Sequence, residues 1–306
     1  MARTAIGAVV VAVSLLWSAT AAGESAVYWT SAHELAPPGQ YMSYLTTWGD
    51  LDGDGDPDVS SMKQFWNDGT CPGTPTWRTE GSVLPDCANC TAPRTATLGD
   101  LDADGDLDLI YGCWQPGLRM FWNVGTPQVP QWQQDLSMFG SGGDTEACPR
   151  LADLDADGDL DLVIVSAGGG TWFCENTGTS QAPQWLAFSC RSMSLGVIPP
   201  TGSIAVGDLD GDGDLDLVTV STEQSLRAWE NVGTPQAWQF VENPAMLTGV
   251  SGPPFGGGGL ALLDVDCDGD LDLLMRDWVG NAYLWLNERV SAAASASWGT
   301  IKAIFR

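Results

Sequence analysis

Imidazole and cationic side chains are scarce in this chain: of 306 residues one is a histidine, His33, and lysine and arginine together number 12. A Ser-His-Asp or Cys-His centre would have that single imidazole to build on, and no serine or cysteine motif accompanies it. Against the 12 bases stand 39 acids, for a formal net charge of −27, which disfavours nucleic acid and anionic membrane surfaces as partners. Glutamate is also sparse, at nine of the 39 acids, so the remaining 30 are aspartates in a chain with 37 glycines. That pairing belongs to turns and hard-cation loops and not to exposed helices. Amphipathic helical periodicity is nearly absent, and beyond the N-terminal region no apolar run approaches the ~20 residues of a membrane-spanning helix. The glycine run 256–259 lacks the Lys-Ser/Thr that would make it a phosphate-binding loop.

At the N-terminus, Arg3 precedes an apolar run over residues 5–17 and a small-residue stretch that includes Ala19, Ala21 and Ala22. These are the three regions of a secretory signal peptide, so residues 1–22 are expected to be removed and 23–306 to form one domain in an extracellular or periplasmic compartment with no membrane span. Export makes the eight cysteines, an even number, expected disulfide partners. Cys87 and Cys90 have metal-ligand spacing, but two further thiol or imidazole ligands are wanting nearby, which favours a disulfide role.

An internal repeat organises the rest. Five nine-residue segments superimpose, with aspartates at positions 1, 3, 5, 7 and 9: Asp50, Asp52, Asp54, Asp56 and Asp58; Asp100, Asp102, Asp104, Asp106 and Asp108; Asp153, Asp155, Asp157, Asp159 and Asp161; Asp208, Asp210, Asp212, Asp214 and Asp216; Asp264, Asp266, Asp268, Asp270 and Asp272. Their starts lie 50, 53, 55 and 56 residues apart. Each is followed by an asparagine, usually opening Asn-x-Gly-Thr (Asn67, Asn123, Asn176, Asn231 and Asn287), and then by a tryptophan (Trp77, Trp132, Trp185, Trp238 and Trp298).

Short, β-branched apolar runs flank the aspartates, residues 203–206 before them and 162–165 or 217–220 after them being examples. A third run carries the aromatics ahead of the asparagine, as at residues 120–122, and a fourth begins at the repeated tryptophan, with Gly-Thr-Pro-Gln as the turn between. Four strands per unit of about 50 residues predict an all-β fold, a five-bladed β-propeller. Trp29 lies 21 residues before Asp50, the interval from Trp132 to Asp153, so residues 28–34 read as a fourth strand without a blade of its own. Residues 298–305 read as another, and either could complete the last blade.

The loops carry the clearest chemistry. Carboxylates at positions 1, 3, 5 and 9 can wrap one ion, the backbone carbonyl of position 7 adds an oxygen while its own carboxylate turns to solvent, and glycine at position 6 permits the sharp turn. All-oxygen ligation in crowded, irregular geometry favours Ca²⁺ over Mg²⁺, with about five ions expected per chain. An EF-hand is excluded because its position-12 glutamate is replaced here by Ser61, Tyr111, Ile164, Thr219 or Met275.

These loops resemble those of the FG-GAP or VCBS repeat proteins, whose calcium-loop propellers include the head of integrin α chains. The segment Asp208 to Leu217 is similar to the family's calcium hairpin, and Asn123 to Pro127 to its Asn-x-Gly-Thr segment. The resemblance implies that the loop aspartates at positions 1, 3, 5 and 9 ligate calcium. Family propellers commonly have seven blades, whereas five repeats are visible here.

Function is less constrained, since one scaffold hosts adhesion, sugar binding and enzymes. The leading expectation is a monomeric, calcium-stabilised module binding glycans or extracellular proteins, possessing no catalytic centre. The rival is an extracellular carbohydrate-active enzyme, a lyase or glycoside hydrolase. That chemistry needs an acid–base pair outside the loops, where Glu175 and Glu230 occupy matched positions that suggest a structural role. Of the 15 tryptophans, those at repeated positions (Trp66, Trp122, Trp229, Trp285) read as packing between blades, while Trp114 and Trp278 are the better candidates for exposed sugar-stacking surfaces.

Overall fold

The computed structural model describes residues 29–31, 47–60, 63–69, 75–81, 84–86, 91–115, 117–139, 148–166, 170–185, 190–193, 195, 203–220, 226–251, 259–277 and 281–287. They form twenty strands and one 3-10 turn, Pro244–Leu247. The signal-peptide region 1–22, His33, Trp278, residues 298–305 and the side chain of Trp114 lie outside the described residues.

The strands group into five four-stranded antiparallel sheets. Blade 1 is Thr47–Gly49 (β2), Asp58–Ser60 (β3), Lys63–Asn67 (β4) and Trp77–Gly81 (β5). Blade 2 is Thr91–Gly99 (β6), Asp108–Gln115 (β7), Leu118–Asn123 (β8) and Trp132–Asp135 (β9). Blade 3 is Cys148–Ala152 (β10), Asp161–Val165 (β11), Thr171–Cys174 (β12) and Arg191–Ser192 (β13). Blade 4 is Ser203–Gly207 (β14), Asp216–Val220 (β15), Leu226–Asn231 (β16) and Phe240–Glu242 (β17). Blade 5 is Leu260–Leu263 (β18), Asp272–Arg276 (β19) and Ala282–Asn287 (β20), completed by the N-terminal Trp29–Ser31 (β1), whose Trp29 stands in register with Asn287.

Why the second strands read as unbroken apolar runs is plain from the packing. Every residue of β15 is buried: Leu217 faces blade 3, in a cluster with Val163 and Phe173, while Val218 and Val220 face blade 5 with Leu260 and Leu273. A strand sandwiched between two neighbours has no solvent face to spend on polar residues. The core is accordingly divided into five apolar clusters, one at each blade-to-blade interface. The fifth joins Val59 and Phe65 of blade 1 to Leu274 and Leu284 of blade 5, so the ring is closed. Its axis is a cavity lined from all five first strands, by Thr47, Thr97, Leu151, Ala205 and Leu262 among others. Across this axis Arg150 donates to Ser203 Oγ (3.0 Å) and to the Leu260 carbonyl (3.2 Å), tying blade 3 to blades 4 and 5.

Small and large residues alternate where blades meet at the axis. A Cβ on Gly49, Gly99 or Gly207 would stand 2.9, 2.8 or 2.4 Å from Cδ1 of Leu107, Leu160 or Leu271, the eighth loop residue of the next blade. Blade 5 carries Leu263 in place of that glycine, and blade 1, which follows it in the ring, carries Pro57 in place of the leucine. Close packing makes the exchange of bulk reciprocal.

Cys174 and Cys190 form a disulfide within blade 3, and Cys113 and Cys267 are also disulfide-bonded. The expectation that all eight cysteines pair is corrected by Cys148, a free thiol buried against Val165 and Phe173. There it packs as a small apolar side chain with no described cysteine to meet.

Candidate metal centre

Each aspartate segment connects the first strand of a blade to the second, so all five loops emerge on one face of the ring. The backbone within each loop follows one path. Position 4 is left-handed throughout, with φ of 77° at Gly53 and 75° at Gly211, and 59°, 58° and 61° at Ala103, Ala156 and Cys267. Position 6 has φ between 96° and 102° and is glycine in every copy, because that region is closed to a side chain.

That path aims backbone N–H groups at the carboxylates. The position-6 glycine donates to Oδ2 of position 1 at 3.1 Å in all five loops. The position-9 carboxylate takes one bond on each oxygen. Its Oδ2 accepts from the N–H of position 2, as from Leu209 to Asp216 at 3.0 Å, and its Oδ1 accepts from the repeated asparagine, as from Asn231 at 2.9 Å. Asn67, Asn123, Asn176 and Asn287 repeat the second bond at 2.7–2.9 Å. The asparagine side chain in turn holds the next turn: Asn123 Oδ1 accepts from Gly125 (3.1 Å) and Gln131 (2.9 Å). A Cβ on Gly125 would lie 2.4 Å from the Val129 carbonyl, which is why Asn-x-Gly recurs.

Positions 1, 3 and 9 are thereby gathered. Asp50, Asp52 and Asp58, Asp100, Asp102 and Asp108, Asp153, Asp155 and Asp161, Asp208, Asp210 and Asp216, and Asp264, Asp266 and Asp272 each present oxygens within 4.8 Å of one another. Position 5 stands outside these clusters: Asp54, Asp104, Asp157, Asp212 and Asp268 are exposed, and each accepts the N–H of position 7 at 2.9–3.1 Å. The expected solvent-facing carboxylate at position 7 is corrected. Asp56, Asp106 and Asp270 are buried and Asp159 and Asp214 half-buried; at Asp56 the neighbouring blade supplies a contact, its Oδ1 lying 4.0 Å from Cys267 Sγ of blade 5.

Carboxylates held this way resist ionisation. Burial, reinforced by the other loop aspartates, pushes the Asp58, Asp108, Asp161 and Asp216 carboxyls up to about 8, and that of Asp272 well above the usual carboxylate range. Burial also raises position 1 at Asp50, Asp100 and Asp153, and to about 7 at Asp264, and position 3 at Asp52, Asp102, Asp155 and Asp210. Desolvated like charges within one loop are relieved by a proton or by a cation. The donor set is all oxygen, and Oδ1 of Asp155 is buried with no hydrogen-bond partner, so the residues fit a hard divalent cation.

The other sequence candidates are placed as follows. Trp66, Trp229 and Trp285 are buried in the clusters between blades, as expected, and Trp122 is half-buried. Glu175 pairs with Arg191 (3.3 Å), and Glu230 accepts from Asn243 Nδ2 (2.6 Å). Sequence reasoning passed over the glutamine of the Gly-Thr-Pro-Gln turn: Gln128 Nε2 donates to the Asp52 carbonyl, and Gln236 Nε2 to the Asp155 carbonyl at 2.8 Å. Its signal was present, a glutamine five residues after Asn123, Asn176 and Asn231.

A closed five-bladed propeller with a carboxylate loop in every blade defines the class. Within it, the FG-GAP-like repeat matches residues 100–164, 153–219 and 208–275, more than half of the 306-residue chain, and the chain belongs to that family. No protein of curated function matches it. Among solved structures, AofleA from Arthrobotrys oligospora is similar at 12% identity over 87% of this chain and 87% of its own, with a TM-score of 0.45. BBS1N, solved in complex with ARL6DN, is 12% identical over 88% of this chain and 99% of its own, with a TM-score of 0.43. The fucose-specific lectin from Aleuria aurantia is 11% identical over 80% and 76%, with a TM-score of 0.41.

Proposed function

We propose that this protein is a secreted binding module, a monomeric propeller stabilised by about five calcium ions, that engages glycans or extracellular proteins through one face of the ring. The observation that carries the cation reading is the fivefold recurrence of a three-carboxylate cluster whose oxygens are already aimed by backbone N–H groups. Such a pre-formed oxygen shell suits Ca²⁺ and leaves little room for a substrate on the ion. The Cys174–Cys190 disulfide supports an oxidising compartment. No helix among the described residues is long and apolar enough to cross a membrane.

Asp residues committed to loops are scaffold in this reading, and recognition belongs to the surfaces between them. The test is a screen of glycans and extracellular-matrix proteins with calcium-loaded and chelator-treated protein. Saturable binding by the loaded form supports the proposal. Release of sugar products from a polysaccharide, with no retained ligand, would replace it with an enzyme.

A further inference from the structure

Among the described residues, two of the cation loops receive a glutamine side chain from the neighbouring blade. The turn between β8 and β9 of blade 2 lies on the loop of blade 1: Pro127 Cβ is 3.6 Å from where a Gly53 Cβ would stand, and Gln128 Nε2 donates to the Asp52 carbonyl. The turn between β16 and β17 of blade 4 repeats the contact on blade 3, where Gln236 Nε2 donates to the Asp155 carbonyl at 2.8 Å. In both cases the acceptor is the position-3 residue, whose own carboxylate belongs to the three-oxygen cluster. Gln181 holds the matching place in the turn of blade 3, and among the described residues it makes no such bond to the loop of blade 2.

We propose that Gln128 and Gln236 are positioning residues for cation binding in the preceding blade, so that occupancy of the loops of blades 1 and 3 is coupled to docking of blades 2 and 4 onto them. This rests on the reading of the loops as cation sites. In both loops positions 4 and 5 are exposed and position 4 is left-handed, and the loop's own N–H groups are spent on the carboxylates of positions 1, 3 and 5, so the glutamine is what reaches the position-3 carbonyl from the neighbouring blade. Fixing the peptide of position 3 from the neighbouring blade lowers the ordering cost that a cation must overcome to gather the carboxylates. Linkage makes the effect reciprocal: a cation that stiffens the loop also strengthens its contact with the next blade. The loop of blade 2 lacks this bond and is an internal control.

The experiment compares wild type, the double variant Gln128→Ala with Gln236→Ala, and Gln181→Ala, by titrating calcium chloride into chelator-treated full-length protein and following heat and melting temperature. Both glutamines are exposed, so folding should survive their truncation. With one hydrogen bond lost per loop, two of the five sites should weaken about three- to tenfold in the double variant. Gln181→Ala should match wild type. Five unchanged affinities in the double variant would overturn the positioning role while leaving the cation reading intact, as would a lowered melting temperature of the chelated form with calcium binding unchanged. A wild type that takes up no calcium would overturn both.

Discussion

The indole Nε1 of Trp29 donates to the backbone carbonyl of Met246 at 2.6 Å, joining positions 217 residues apart. Trp29 is 2% exposed, packs against Met246, Leu260 and Trp285, and pairs through β1 with the last strand of blade 5. One side chain thus fastens the N-terminal strand to the seam between blades 4 and 5. Trp29→Ala should cost about 3–5 kcal/mol, the range for emptying a buried tryptophan site. Chemical denaturation measures it, and a variant as stable as its parent would mean that the ring holds without this strand.

Calcium removal should lower the melting temperature and calcium should restore it, since an ion bound only by the folded state stabilises by about 2.7 kcal/mol per site at a hundredfold excess over its Kd. Calorimetry with and without chelator checks this, and a melting temperature indifferent to both would remove the metal assignment.

The pH dependence of the chelated protein should have an unusual sign. Asp58, Asp108, Asp161 and Asp216 sit at about 8 in the fold against an ordinary value of 3.8. A raised carboxyl binds its proton more tightly when folded, so its contribution is fully present below about pH 4 and is lost as pH rises through about 8. Melting temperature without calcium should therefore fall from pH 5 to pH 8.5, while calcium affinity rises over the same interval as the ion displaces those protons. Flat profiles for both would contradict the burial of these groups.

Between blades 4 and 5, Gly207→Ala would set a Cβ 2.4 Å from Leu271 Cδ1, forcing that buried leucine from its place. The expected loss is about 1–3 kcal/mol, as for other overpacked core sites. Leu271→Ala alone leaves a cavity, but together with Gly207→Ala it gives the added methyl room. A double-mutant cycle should return a coupling above about 0.5 kcal/mol, and strict additivity would count against the contact.

Asp212→Ala removes an exposed carboxylate that accepts the Asp214 N–H at 2.9 Å and lies outside the three-oxygen cluster of its loop. The blade should loosen, and any ligand affinity should fall only as far as folding does. Affinity lost at unchanged stability would make the loop itself a ligand site.

Blades, loops and their repetition were legible in the amino-acid order because each depends on neighbours in sequence. The left-handed turn at position 6 needs glycine, the bond to position 9 needs a strand of set length before Asn123 or Asn231, and a strand with no solvent face needs an unbroken apolar run. Closure was different. Residues 28–34 and 298–305 both read as spare strands, and pairing of Trp29 with Asn287 is a contact between chain ends that no local pattern encodes. The same holds for Cys148, left unpaired by where its strand falls, and for Asp56, Asp106 and Asp270, buried in the fold although their carboxylates read as solvent-facing. Periodicity in the sequence determines the unit and its turn chemistry; only the tertiary structure decides what each unit meets, because packing between blades is set by shape across the ring and not by spacing along the chain.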